Sequence, residues 1–181
     1  MSVPVVIPGK IPPGFKPIPP IDGGCCFGCG PANPRGLQLR FSTDGESLLS
    51  EVTFSREFAG WSRVAHGGLQ ATVLDEIMGW TAILLLKRVV LTRTLTIRYL
   101  TPVSTGERLL AQGWLENVSD DSRRALVSGR LVNEAGEECT SSQGEFAVFT
   151  LEKASRLKIL DETLKSELER RFERAGSPAS P

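Results

Sequence analysis

Apolar positions run at helical spacing between residues 68 and 87. Ala71, Leu74, Met78, Ala82 and Leu85 recur in steps of three and four with no proline among them, which predicts a helix over 68–87. Its other flank is apolar too, through Val73, Ile77, Trp80 and Leu84, so other elements must wrap it. On either side the pattern changes to strand. Residues 37–42 and 48–54 read as strands joined at the turn signal Thr43-Asp44-Gly45, and 91–101, 108–118, 124–132 and 139–151 read as a meander. A hairpin, one buried helix and a meander predict an α+β fold, with an antiparallel sheet wrapped around one long hydrophobic helix.

The flanking segments differ from this central domain, placed at 23–151. Prolines crowd residues 7–20 and predict a polyproline-like arm over 1–22, either a free tail or packed on the domain surface. Beyond 151, Leu157, Leu160, Leu164, Leu168 and Phe172 predict an amphipathic helix over 152–176, docked on the domain or offered to a partner. Residues 177–181 are expected to be disordered.

Composition narrows the function classes. With 181 residues and 40% hydrophobic content the chain can bury a domain core, and 21 basic residues against 21 acidic ones provide no overall attraction for nucleic acid or an anionic membrane. The apolar run at 83–86 is followed by Lys87, Arg88 and Arg93, so no membrane span is expected, and the proline-rich start lacks a secretory pattern. Cys25, Cys26 and Cys29 crowd one turn and leave Cys139 alone, which is no disulfide framework; a reducing, cytoplasmic compartment is expected. One Cys26-x-x-Cys29 pair lacks a matching second pair, and Gly28 to Asn33 fails the dinucleotide fingerprint, so neither a metal nor a cofactor is expected.

The candidate chemistry sits where loop becomes helix, at His66-Gly67-Gly68. Two glycines there let a ligand approach the backbone, and free N–H groups with the helix dipole favour a developing negative charge, as in an oxyanion hole. Two turns on, Asp75 interrupts an apolar helix between Ala71, Thr72, Met78 and Gly79. Either it marks a solvated edge or it is a catalytic carboxylate. His66 is the single histidine, and no serine lies in a Gly-x-Ser-x-Gly elbow, so a Ser-His-Asp triad has no support.

His66-Gly67-Gly68, Asp75, Thr92, Tyr99 and Pro102, over roughly residues 26–149, resemble the hot-dog-fold acyl-CoA thioesterases of the phenylacetate-degradation type and the thioesterase superfamily member four group. That resemblance implies a hot-dog fold, a homodimer or homotetramer with active sites between subunits, and hydrolysis of an acyl-CoA. It implies that the amide of Gly67 or Gly68 polarises the thioester carbonyl, that Asp75 activates water or attacks the carbonyl, and that His66 orients the site. Thr92 would reach Asp75 from the neighbouring subunit, and Tyr99, Leu100, Thr101 and Pro102 are the expected substrate contacts. Strand alternation sets Thr92 with Thr94, Thr96 and Arg98, opposite Leu95, Ile97 and Tyr99, so Thr92 faces solvent unless a neighbour covers it. Some relatives carry an asparagine before the glycine pair to hold water, and residues 58–65 contain none, which keeps an acyl-CoA binding or sensing module with little turnover as the alternative.

Overall fold

Glycines in two central strands let the predicted helix come close to the sheet that covers it. In the computed structural model, which describes residues 3–174, β1 (Lys16–Pro17) pairs with β2 (Ser42–Thr43), and a turn through Gly45 at φ 92° leads into β3 (Ser47–Thr53). A separate small ribbon of β4 (Ala59–Trp61) and β5 (Val64–Ala65) delivers the chain into α1 (Gly67–Leu86). Four long strands follow: β6 (Val89–Tyr99), β7 (Arg108–Val118), β8 (Arg124–Asn133) and β9 (Glu138–Phe149). The main sheet is antiparallel, in the order β1-β2-β3-β7-β8-β9-β6, so β6 is an edge strand.

α1 is 20 residues long, and by length and composition it is apolar enough to cross a membrane. Here the sheet takes that role of apolar surroundings. Val73, Leu74, Ile77 and Met78 are fully buried against β7 and β8, and a Cβ at Gly113 would run into Thr81 and the Ile77 carbonyl. The strand therefore needs glycine at that point of closest approach. Two buried polar side chains on the helix are paired: Thr81 donates to the Ile77 carbonyl at 2.7 Å, and Gln70 Oε1 accepts from Thr140 at 2.6 Å. This is the expected α+β hot-dog arrangement.

Two predicted elements differ. Most of 37–42 is not strand, because Leu37 and Leu39 donate their backbone N–H groups to the Phe27 and Gly28 carbonyls of the glycine-rich loop instead of to a ladder. Leu39 and Phe41 are nevertheless buried. The C-terminal helix is two helices, α2 (Leu151–Arg156) and α3 (Glu162–Arg174), because Lys158 turns the chain at φ 57° and Asp161 accepts the Leu164 N–H at 2.7 Å to start α3. Leu157 falls in the break and is exposed, while Leu160, Leu168 and Phe172 pack with Ala154 and Val89 on the body of the domain. The segment expected to be disordered, 177–181, lies outside the described residues.

The start of the N-terminal arm lies on the face of the sheet opposite α1, while Ile18 and Ile21 further along it pack against the main core. Val6 packs on Leu49 and Leu110, whose neighbours Leu48 and Leu109 point into the main core. Arg130 donates to the Pro4 carbonyl at 2.6 Å and Arg171 to that of Pro19 at 2.6 Å. Those two bonds pin an arm that has few backbone donors of its own.

Candidate active site

His66 caps α1. Its backbone is extended (φ −61°, ψ 129°), and its Nδ1 accepts the Gly68 N–H at 2.9 Å, which in the neutral ring leaves the proton on Nε2. Leu69 and Gln70 both donate to the His66 carbonyl. Of the four donors in the first helical turn, Gly67 N–H is thus the one left with no acceptor among the described residues. Of the two amides expected to serve as an oxyanion donor, that of Gly68 is already bonded to His66 and that of Gly67 is free among the described residues.

That amide borders a cleft of about 510 Å³. His66, Gly67 and Gln70 line one side, and Tyr99, Leu100, Thr101 and Pro102 line the other, with Trp61 from the small ribbon at 84% exposure. The Tyr99 hydroxyl crosses to donate to the Gly67 carbonyl at 2.9 Å, and Leu100 and Thr101 both donate to the Cys139 carbonyl, which holds that side of the cleft in place. Six residues singled out in the sequence thus meet in one cleft.

Asp75 and Thr92 are elsewhere. Eight residues of helix separate Gly67 from Asp75, a rise of about 12 Å. The expectation that Thr92 reaches Asp75 from a neighbouring subunit does not hold: within one chain, Thr92 Oγ1 donates to Asp75 Oδ1 at 2.7 Å. Thr92 is exposed, as alternation predicts, yet a bulge in β6 puts it on the helix side of the sheet. Thr92 sits opposite Phe146 and Thr94 opposite Glu145, so Arg93 is an extra residue that reverses the faces. Val90, Thr92, Leu95, Ile97 and Tyr99 consequently share the helix side of the sheet.

A third cluster involves a residue to which the sequence reading assigned no role. The loop of Cys26 and Cys29 folds onto α1, bringing Cys26 Sγ to 3.1 Å from Glu76 Oε1, while Trp80 Nε1 donates to Cys29 Sγ at 3.2 Å. Burial pushes the Glu76 carboxyl up to about 8. A hydrogen bond from the Cys29 thiol draws Cys26 down to about 4, and the same bond holds the Cys29 proton firmly in place. Glu76 stands fifty residues from Cys26, so only its place beside Asp75 in an apolar helix could have signalled it. Next to this cluster an apolar cavity of about 370 Å³ opens between the arm, α1 and α3.

The thioesterase superfamily model matches residues 63–140, the stretch that holds the helix cap, α1, β6, β7 and β8. Residues 63–140 are thus similar to the thioesterase superfamily. Among solved structures, a thioesterase superfamily protein is 27% identical with a TM-score of 0.62, over 68% of this chain and 60% of that one. This chain thus spans less than two thirds of that relative. A Streptococcus mutans protein bound to acetyl CoA is 20% identical over 58% of this chain and 82% of its own, with a TM-score of 0.54. Escherichia coli PaaI, from the phenylacetic acid degradation operon, is 16% identical over 62% and 80%, with a TM-score of 0.56. These last two likenesses establish the fold. No protein among those with curated functions matches the chain.

Proposed function

We propose that this chain is a thioesterase that hydrolyses an acyl-CoA in the cytoplasm, as a homodimer or larger assembly in which each site draws on two subunits. The observation that carries the reading is the unpaired Gly67 amide at the positive end of α1, bordering a cleft with Tyr99 to Pro102. The Gly67 N–H would hold the carbonyl oxygen as water adds to the carbonyl carbon. Asp75, its Oδ1 occupied by Thr92, would take the proton of that water through Oδ2 and pass it on as the thiolate of coenzyme A leaves.

About 12 Å of helix keeps the Gly67 amide and the Asp75 carboxylate of one chain from meeting at a single carbonyl. Two chains remove the conflict, with Gly67 from one set against Asp75 and Thr92 from the other. The pair drawn from different subunits is then Gly67 and Asp75, not Thr92 and Asp75. Support for assembly comes from β6, an 11-residue edge strand whose outer groups have no ladder partner, with Leu91, Tyr99 and Leu100 exposed along it. Pairing of β6 with its two-fold copy would cover that edge.

Release of thiol from a panel of acyl-CoAs tests the reading. Asp75→Asn should lower kcat by about 10²- to 10⁴-fold. Turnover by Asp75→Asn at the wild-type rate would refute the role of that residue, and binding of acyl-CoA without thiol release by the wild type would favour a binding module.

A further inference from the structure

We propose that Cys26, Cys29 and Glu76 form a binding site for a zinc-class divalent cation, which clamps the glycine-rich loop onto α1 behind Asp75. The three ligand atoms lie within 4.8 Å of one another, and Cys26 Sγ and Glu76 Oε1 are only 3.1 Å apart. A tetrahedral zinc with bonds of about 2.3 Å to sulfur and about 2.0–2.2 Å to oxygen needs ligand atoms roughly 3.5–3.8 Å apart. Small side-chain adjustments therefore reach that geometry.

The surroundings are shaped for such an ion. Gly30 donates to the Cys26 carbonyl at 2.9 Å and closes a tight turn in which both sulfurs face the helix, and a Cβ at Gly30 would strike the Cys26 backbone. A Cβ at Gly28 would collide with the Glu76 side chain, so glycine is what lets the loop close over the carboxylate. The Trp80 indole N–H bonds Cys29 Sγ from the opposite side, as an outer partner of a metal thiolate does. Independently, Glu76 Oε2 is buried and has no hydrogen-bond partner among the described residues, and a cation would satisfy it. A disulfide between Cys26 and Cys29 would leave that oxygen stranded.

Two thiolates and one carboxylate are a borderline-soft set suited to zinc, and unlike the all-oxygen shells of calcium and magnesium. On binding, the Cys26 and Cys29 thiols lose their protons to solvent, and the carboxylate coordinates ionised. The cavity that Cys25, Cys26, Cys29 and Glu76 line would leave room for a water as a further ligand. In the helix Glu76 follows Asp75, so Asp75 reaches β6 while Glu76 holds the loop. The ion would thus fix the helical turn that carries the proposed catalytic carboxylate, although the site stands whether or not the chain is a thioesterase.

The test uses the full chain, purified in reductant and stripped with a chelator, with free thiols counted beforehand. Cobalt(II) titration should give a thiolate-to-metal charge-transfer band that saturates at one equivalent and is displaced by zinc. Cys29→Ser and Glu76→Gln should each weaken zinc binding by at least about tenfold, while Cys139→Ser leaves it unchanged. Absence of the band in reduced wild type, or a band that persists when Cys26 and Cys29 are both serine, would overturn the site. The wild-type spectrum decides the matter even if a variant fails to fold.

Discussion

The Thr92 hydroxyl donates to Asp75 Oδ1 at 2.7 Å within one chain, across the gap between β6 and the helix it covers. This bond takes one carboxylate oxygen and leaves the other free for the proposed proton transfer. Asp75 is accordingly a carboxylate positioned by its own strand.

Removal of that donor should cost rate and leave the fold intact. Thr92→Val keeps the β-branched shape and loses a hydrogen bond to a charged group, worth about 1.5–3 kcal/mol, so kcat should fall roughly ten- to a hundredfold. Thr92→Ser should retain most of the activity. Equal loss in both variants, in steady-state thiol release, would mean that the methyl and not the hydroxyl matters.

Mixed dimers separate the two possible sharing schemes. Gly67→Pro removes the proposed oxyanion donor at the first helical position, where proline is tolerated, and Gly67→Ala keeps the amide as a control. Gly67→Pro alone should lose about 10²- to 10³-fold in kcat. Mixing Gly67→Pro with Asp75→Asn in equal amounts should restore roughly a quarter of the wild-type activity, because about half of the dimers are then mixed and each mixed dimer has one of its two sites intact. Mixing Thr92→Val with Asp75→Asn should restore nothing, since both residues serve the same site from the same chain.

The His66 cap contributes to stability separately from any part in the reaction. His66→Ala strips the Gly68 N–H of its acceptor and should destabilise the chain by about 1 kcal/mol, or roughly 2–4 °C in Tm. His66→Asn offers an oxygen in the same place and should recover most of that loss. A thermal melt in which asparagine is as poor as alanine would show that the cap does not carry the effect.

Much was legible in the sequence alone. Helical spacing through Leu74, Met78 and Ala82 located α1 to within a residue at each end, since an apolar helix without proline has few alternatives. Alternation and turn residues located β3 and β6 to β9, and the glycine pair marked the helix start that borders the cleft. These are local signals, written within a few residues of the element they specify.

What only the tertiary structure decided depends on groups far apart in the chain. The bulge at Arg93 exists because β9 pairs with β6 one residue out of step, and that shift lets the Thr92 hydroxyl reach Asp75 while the residue stays exposed. Which first-turn amide stays free depended on the rotamer of His66. The meeting of Cys26 and Cys29 with Glu76 required the loop to pack across α1 between residues fifty positions apart. No periodicity encodes such a contact, because side-chain packing and register arise only when distant segments close on one another and the free energy of the whole arrangement selects one geometry.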